Sequence, residues 1–423
     1  MNGFSETFIA FLATSVLIYF LSSRAHAVGL LDKPSGHKAH DTDTPTVGGI
    51  AIFGGFLLAL YFSSLIDVYL VGFVVPAFLL VGVGALDDVV NMSPRSRFIV
   101  QILAGLLMTI AGGVVVAQLG ALLVPGTVIT TGVLAIPFTI ICLVGLVNAF
   151  NMMDGIDGLA GSLTLIAFLG LGTVAYIGGQ LSMVEGLSFL GFSLLAFLAF
   201  NVRHLWRKQA DIFLGDCGST FLGFSVLWFS VSLSQGEHAV MTPVTPLWFV
   251  VLPFFDMTTV MIRRIRNKRH PFAADRDHLH HLFLATGFSV AQTVLILTAV
   301  ALVLASAGIA GLYLGVPENV MFALYLGLFA GYYYLVMHSW ARMRFLGRQI
   351  CRGVEQEQGV ADDVCPDVAS IGVVTPLMES KREGLEQHYV PAVSAMTAID
   401  SQSGNPAKPL KVKNEWEKLR REA

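Results

Sequence analysis

Long apolar segments alternate with short polar ones through the first 340 residues of the chain. A helix needs roughly 20 apolar residues to cross the hydrocarbon core of a bilayer. On that measure the sequence has eleven candidate spans, with approximate limits 4–22, 45–64, 68–86, 98–118, 127–147, 159–178, 187–201, 212–233, 245–262, 290–312 and 320–340. The pattern predicts an all-α, polytopic membrane protein of about eleven transmembrane helices.

The composition agrees with this class. Charged residues make up only 13% of the 423 residues, against about 25% in soluble domains. The four cysteines have neither CxxC nor framework spacing, so they are assigned no disulfide or metal. Residues 341–423 are polar, with 12 basic and 12 acidic residues. This balance predicts a mobile tail after an integral membrane domain of residues 1–340.

The basic residues are distributed unevenly between the two sides of the predicted spans. The loops after odd-numbered spans hold 14 Lys and Arg, the tail holds the other 12, and the loops after even-numbered spans hold none. By the positive-inside rule the first set of loops is cytoplasmic, with the N-terminus outside and the tail inside. Arg24 follows the first span and no basic segment precedes it, which is typical of a retained anchor rather than a cleaved signal peptide.

A polar stretch interrupts the apolar pattern between the fifth and sixth spans. It runs from Asn148 to Ser162, and its polar residues recur every third position as Asn148, Asn151, Asp154 and Asp157. Such groups within a membrane are costly and usually functional. On a continuous helix they would be neighbours, whereas Gly155 and Gly158 favour a break where backbone approaches a ligand. A polar loop with an aspartate as N-cap is the alternative.

Two further clusters precede this stretch, at residues 32–49 and 86–97. The first has basic side chains beside a glycine pair, and a solvated loop is its alternative interpretation. The second has adjacent carboxylates, each of which needs a cation or metal to stay charged at low cost; an exposed turn is the alternative. The candidate site residues here are Lys38, His40, Asp87, Asp88 and Arg97.

Two more clusters follow, at residues 211–220 and 263–281. In the first, Asp216 lies between two glycines and is a hard oxygen donor suited to Mg²⁺. Phe213 beside it could stack on a base or face lipid. The second is a dense basic run of the kind that binds anionic lipid or sets topology, but it ends in a group of phosphate donors. These donors are Arg276, His278, His280 and His281.

All five clusters fall on the predicted cytoplasmic face. Carboxylates for a divalent cation, Arg and His for phosphates, and glycines for close approach together indicate an anionic, nucleotide-linked substrate. A site at the edge of the bilayer could also receive a lipid headgroup, and no nucleic-acid partner is expected. Asp256 stands apart inside a span, where a structural hydrogen bond to a neighbouring helix is the favoured interpretation.

These motifs resemble those of the polyprenyl-phosphate N-acetylhexosamine-1-phosphate transferases, most of all the bacterial undecaprenyl-phosphate N-acetylglucosaminyl 1-phosphate transferases. The resemblance covers roughly residues 20 to 340, through D-K-P, H-K-x-H, P-x-x-G-G, A-L-D-D, N-A-F-N-M-x-D-G-I-D-G-L, G-D-x-G-S-T and D-R-x-H-x-H-H. Ordered motifs at these spacings are highly specific. The tail lies outside the match.

The resemblance implies transfer of N-acetylglucosamine 1-phosphate from a UDP-sugar to undecaprenyl phosphate, with release of UMP. It also implies Mg²⁺ as cofactor, with Mn²⁺ as a substitute, and a multi-pass protein of the bacterial inner (plasma) membrane. The product would be the first lipid-linked sugar of O-antigen or a related lipopolysaccharide component. The oligomeric state is not predicted.

By motif match, the residues divide into groups around these ligands. Asp216 and Asn151 resemble the metal-holding positions, and Phe213 and Asp157 resemble the uracil pocket. A basic group of residues resembles the positions that bind the pyrophosphate and the sugar. These residues are Arg264, Arg276, His278, His280 and His281. Arg97 and Lys38 would face the lipid phosphate, with His40 and Asn148 as further substrate-binding positions. Asp87, Asp88 and Asp154 match acidic positions that the family needs.

Three alternatives stay open. The same chemistry could act on another UDP-N-acetylhexosamine or on UDP-muramoyl-pentapeptide, although that transferase typically has three consecutive histidines and Leu279 interrupts them here. A secondary transporter also buries carboxylates, but at the bilayer midplane on broken helices. An intramembrane aspartyl protease would pair two mid-span aspartates, and only Asp256 is so placed.

Overall fold

The computed structural model describes residues 3–32, 43–63, 65–203, 207, 209–270 and 278–358. These residues are mostly helical, as predicted. The α-helices are α1 Gly3–Ser22, α2 Ala25–Val28, α3 Gly48–Phe62, α4 Ile66–Tyr69, α5 Val75–Val90, α6 Pro94–Leu106, α7 Ala135–Met153, α8 Leu159–Ile177, α9 Leu181–Asn201, α10 Gly215–Ser234, α11 Val251–Arg266, α12 Leu279–Ala285, α13 Val290–Tyr313 and α14 Glu318–Gln358.

The predicted spans correspond to helices, which confirms a polytopic membrane protein. Eight of the described helices are long and apolar enough to cross a membrane. The other three predicted spans fall on shorter helices, since α3, α6 and α11 have 15, 13 and 16 residues. Several boundaries differ from the prediction: α9 has 21 residues instead of 15, and α14 continues past position 340 to Gln358.

Two short antiparallel hairpins interrupt the helices, and the apolar pattern did not predict them. One pairs β1 (Leu31–Asp32) with β2 (Thr44–Pro45), and the other pairs β3 (Gln118–Gly120) with β4 (Ile129–Thr130). The fourth predicted span ends early, because its helix ends at Gly112 and irregular backbone leads from there to β3. Two 3₁₀ turns, Gly132–Leu134 and Thr245–Phe249, lead into α7 and α11.

Helix α10 forms the centre of the bundle. Its span is 89% buried, whereas only 17% of the α14 span and 22% of the α1 span are buried. It packs against α3, α5, α7 and α8. A helix surrounded by other helices on all sides holds its N-terminal residues in a fixed position, so the location of Asp216 in its first turn is set by the core.

Glycines allow these helices to approach closely. A Cβ placed on Gly49 of α3 would lie 2.3 Å from the Gly218 backbone of α10, and one on Gly84 of α5 would lie 2.5 Å from the Cys217 backbone. Gly223 meets the backbone of Val147 on α7 in the same way, at 2.8 Å. Small residues at helix crossings are typical of membrane bundles, where tight packing holds the helices together.

We predict that Gly49→Ala destabilises the protein, because the added methyl overlaps backbone that cannot move aside. Overpacking of this kind costs about 1–3 kcal/mol. Gly172→Ala in α8 is the matched control, since nothing lies within 4 Å of its added methyl. Thermal unfolding in detergent should show a lower Tm for the first variant only. Equal Tm values for both variants would contradict the close crossing of α3 and α10.

Candidate active site

The Asp88 carboxylate holds the start of α10. It accepts hydrogen bonds from the backbone N–H of Asp216, at 2.8 Å, and of Cys217, at 3.4 Å. A carboxylate is stabilised there, because the first amides of a helix lack partners in their own helix. Gly215 has φ +76°, and a Cβ at that position would lie 2.6 Å from the Asp88 Oδ2. Asp88 therefore fixes the backbone that carries Asp216.

Arg97 bridges two other carboxylates. Its Nε lies 2.5 Å from the Asp87 Oδ2, and its Nη1 lies 2.8 Å from the Asp216 Oδ2. The other Asp87 oxygen accepts from the backbone N–H of Met92 at 2.6 Å. The Asp87 side chain is 3% exposed and that of Asp216 is 31% exposed. The guanidinium compensates the repulsion between the two acids and leaves Asp216 as the more accessible one.

The two asparagines of α7 lie on one face of the helix. Asn151 donates from its amide to the Asp216 Oδ1 at 2.8 Å and to the Ser219 Oγ at 2.9 Å. Asn148, one turn earlier, donates to the Gln101 Oε1 at 2.8 Å. The spacing predicted this shared face, and the helix continues unbroken through both residues to Met153.

These side chains line one pocket between α5, α6, α7 and α10. Its empty volume, including the open mouth, is about 460 Å³. The polar lining consists of Asp87, Arg97, Gln101, Asn148, Asn151, Asp216 and Thr220. Three of the five sequence clusters therefore meet at one concave surface: 86–97, the first residues of 148–162, and 211–220.

The chain breaks after α7, as the glycines predicted. Gly158 has φ +85°, and its N–H donates to the Asn201 Oδ1 at 2.7 Å. The Asn201 amide donates in turn to the carbonyl of Ile212 at 2.8 Å. Asp157 pairs with the Arg203 Nε at 2.6 Å and accepts from the backbone N–H of Ala210 at 3.2 Å. The break is thus tied to the segment that leads into α10.

Asp154, at the start of this break, lies beside the other acids. Burial raises the pKa of its carboxyl well above the ordinary value, and the nearby carboxylates of Asp216, Asp88 and Asp157 raise it further. Such a concentration of acids in one site favours the approach of a cation.

Phe213 lies half-buried in the segment before α10. Its N–H donates to the carbonyl of Pro45 at 2.8 Å, and its carbonyl accepts from the N–H of Gly48 at 3.0 Å. These bonds join the start of α3 to the start of α10. Among the first cluster's predicted residues, Lys38 and His40 lie outside the described part of the chain.

The histidine segment contacts the break after α7. His280 is 1% exposed and its ring contacts Gly155, where an added Cβ would lie 2.3 Å from the His280 Nε2. Its ring stacks on that of His278, with centroids 5.6 Å apart, and it meets His281 at 4.2 Å. The segment therefore lies against the break after α7, next to Asp154.

Arg264 is buried at the end of α11, 2% exposed, as is its neighbour Arg263. Arg276 lies outside the described residues. Within the described part of the chain, no three His, Cys, Asp or Glu side chains form a metal-binding group. An oxygen-ligated ion would instead draw on Asp216 and Asn151, the predicted pair, which are in contact through the 2.8 Å hydrogen bond.

The sequence reasoning missed Gln101, Asn201 and Arg203. Gln101 and Asn201 are each 5% exposed within or at the end of an apolar helix, and a polar residue in such a place is itself a signal. Arg203 carried no signal beyond its position in a basic loop.

Comparison with known proteins identifies relatives of this chain. A family model described as glycosyl transferase family 4 matches residues 70–234. Undecaprenyl-phosphate alpha-N-acetylglucosaminyl 1-phosphate transferase of Escherichia coli strain K12 is 34% identical over 342 residues, which are 80% of this chain and 92% of the relative. The proteins of that name from Salmonella typhi and Haemophilus influenzae are also 34% identical, over 82% and 81% of this chain and 95% and 96% of their own lengths.

We predict that His280 makes the fold sensitive to acid. Burial, together with His281 and His278, lowers the pKa of His280 well below its ordinary value. The unfolded chain binds a proton there below about pH 6.5, whereas the folded chain does not. Stability contributed by the neutral ring is therefore lost as the pH falls, by up to about 1.4 kcal/mol per pH unit.

Thermal unfolding between pH 7.5 and pH 5 tests this sensitivity. The Tm of His280→Gln should fall less on acidification than that of the wild type. His26→Gln is the control, because that histidine is exposed. The role of His280 is refuted if His280→Gln keeps the full pH dependence of the wild type.

Proposed function

This chain belongs to the family of undecaprenyl-phosphate alpha-N-acetylglucosaminyl 1-phosphate transferases, and from that premise we propose that it transfers N-acetylglucosamine 1-phosphate from UDP-N-acetylglucosamine to undecaprenyl phosphate. UMP is the second product. The observation that carries the proposal is the meeting of Asp87, Arg97, Asn151 and Asp216 in one pocket, with contacts of 2.5–2.8 Å between them.

The orientation in the membrane forms part of the proposal. Eleven spans with the N-terminus outside put the pocket on the cytoplasmic side of the bacterial inner membrane, where nucleotide sugars are made. Two facts support this arrangement: basic residues are absent from the loops after even-numbered spans, and the acids cluster at helix ends, at the last turn of α5 and the first turn of α10.

Mg²⁺ is the proposed cofactor, with Mn²⁺ as a substitute. The residue types of the pocket fit this ion, because Asp216 presents a partly exposed carboxylate and Asn151, whose Nδ2 donates to the Asp216 Oδ1, would supply its amide oxygen as a second ligand. Mg²⁺ needs few protein oxygens, since it shares its coordination shell with water and substrate phosphates. When bound, the ion supplies positive charge to the phosphate oxygens.

Asp87 and Asp88 act in this proposal by holding other groups in position. Asp88 fixes the first turn of α10 and Asp87 orients the Arg97 guanidinium. A general base has little to do, because a phosphate monoester has a second pKa near about 6 and the lipid phosphate is already mostly dianionic at neutral pH. Arg97 can then stabilise the attacking phosphate by hydrogen bonds to its oxygens.

The remaining site residues are assigned to the nucleotide sugar. Asp157 and Phe213, near the segment that precedes α10, would bind uracil. Arg264 and the histidines would bind the pyrophosphate and sugar, because guanidinium N–H and imidazole N–H groups donate hydrogen bonds to phosphate oxygens. Asp154 is close to the carboxylates of Asp216, Asp88 and Asp157.

The assay for this function is the release of UMP. Purified protein should release labelled UMP from UDP-N-acetylglucosamine when undecaprenyl phosphate and Mg²⁺ are present, and more slowly or not at all from UDP-N-acetylgalactosamine, UDP-glucose or UDP-muramoyl-pentapeptide. Asp216→Asn should lose most of this activity, and Asp211→Asn should keep it, because Asp211 is 53% exposed and pairs with Arg207. A transporter or protease would release no UMP.

Membrane vesicles extend the same assay to orientation. UDP-sugars do not cross a bilayer, so sealed inside-out vesicles should be active and sealed right-side-out vesicles should become active only after permeabilisation. Activity in intact right-side-out vesicles would contradict a cytoplasmic site.

The pH dependence of Asp87→Asn separates positioning from proton abstraction. If Asp87 orients Arg97, its loss lowers kcat/KM by about 10- to 100-fold, and the deficit persists from about pH 6 to pH 9. Asp211→Asn again serves as the control carboxylate. Recovery of Asp87→Asn to nearly the wild-type rate at high pH would identify Asp87 as a general base instead.

A further inference from the structure

Asp256 was assigned a structural role from the sequence, yet its contacts lead to the histidine segment. Its carboxylate is 1% exposed in the middle of α11. One oxygen lies 2.7 Å from the His278 Nδ1, and the other accepts from the Leu279 N–H at 2.8 Å and from the Tyr332 hydroxyl at 3.2 Å. The buried acid therefore joins α11, the start of α12 and α14.

We propose that Asp256 is a positioning residue that acts through His278. A carboxylate accepts hydrogen bonds, so the proton of the neutral imidazole lies on Nδ1 and the ring is held in one orientation. The bond to the Leu279 N–H fixes the first turn of α12 at the same time. Asp256 thus sets both the tautomer of His278 and the direction in which this segment starts.

The effect of this anchor extends to the break after α7. His278 stacks on His280 with the two rings only 3° from parallel, and His280 contacts Gly155 beside Asp154. Neither ring nitrogen of His280 has a hydrogen-bond partner among the described residues. The position of His280 therefore depends on packing, and one of its packing partners, His278, is held by the hydrogen bond to Asp256.

If Asp256 only connected α11 with α12 and α14, replacing it by Asn would have a different effect. Asn at position 256 keeps an oxygen that can accept from Leu279 and Tyr332, but its NH₂ group faces the His278 Nδ1 and favours the opposite tautomer. Asp256→Asn therefore separates the two roles, because it preserves the tie and changes the histidine. Tyr332→Phe is the matched control, since it removes a hydrogen bond to the Asp256 Oδ1 and leaves the Oδ2 that pairs with His278 in place.

The experiment is a mutant cycle in the full-length protein, and it rests on the proposed transferase activity. Tm, kcat and the KM for each substrate are measured by UMP release for the wild type, Asp256→Asn, His278→Ala and the double variant. We expect Asp256→Asn to lower kcat by about 10- to 100-fold with little change in Tm. The double variant should be no slower than His278→Ala, because residues that act through one another are not additive.

Two further variants complete the test. Asp256→Glu should recover part of the lost kcat, because it restores a carboxylate, and Tyr332→Phe should stay within about threefold of the wild type. If Asp256→Asn fails to fold, the cycle is run with Asp256→Glu. Additive losses in the cycle, or a normal kcat for Asp256→Asn, would overturn the positioning role while the wild type remains active. An inactive wild type would overturn the proposed function itself.

Discussion

The hydrogen bonds between the Asp88 carboxylate and the first amides of α10 are the contact on which the pocket depends. They place an acid at a helix N-terminus, where both the unpaired amides and the helix dipole stabilise negative charge. With that backbone fixed, Asp216 lies opposite Asp87, and Arg97 can pair with both acids. Without the cation between them, these carboxylates would repel each other at a membrane edge where water compensates charge poorly. The site is thus an arrangement of charges that stabilise one another before any substrate enters.

The apolar part of the molecule makes this arrangement rigid. Helix α10 is enclosed by its neighbours, and its first turns meet α3 and α5 through glycines with almost no space between the backbones. Close packing of this kind allows little sliding between helices. Because polar groups in hydrocarbon are costly, the charged residues are concentrated at helix ends, where α5 stops and α10 begins. The cost of polar groups in hydrocarbon therefore explains both the apolar packing inside the bundle and the position of the charges at its edge.

The break between α7 and α8 lies between the acids near the pocket and the histidine segment. Asp154 and Asp157 belong to that break, and Gly155 within it accepts the ring of His280 without a clash because glycine has no side chain. The proximity of acids and histidines suits the proposed reaction, in which a metal and two phosphates must be held together while a nucleotide is bound next to them. The buried Asp256 holds the histidine segment through His278, much as Asp88 holds the first turn of α10.

Sequence alone determined the helices and the chemical types in the site. The apolar pattern is decisive for the helices, because backbone in hydrocarbon must satisfy its own hydrogen bonds, and the spacing of Asn148 and Asn151 correctly put both on one face. Only the tertiary structure decided that Asp88 meets the amides of α10 while Asp87, the preceding residue, meets Arg97, and that Asp256 pairs with His278. Successive helical side chains point about 100° apart, and these contacts join residues 128 and 22 positions apart in the chain. The rotation of the helices relative to each other therefore decides which partner each of the two adjacent acids contacts. The sequence alone does not predict that rotation.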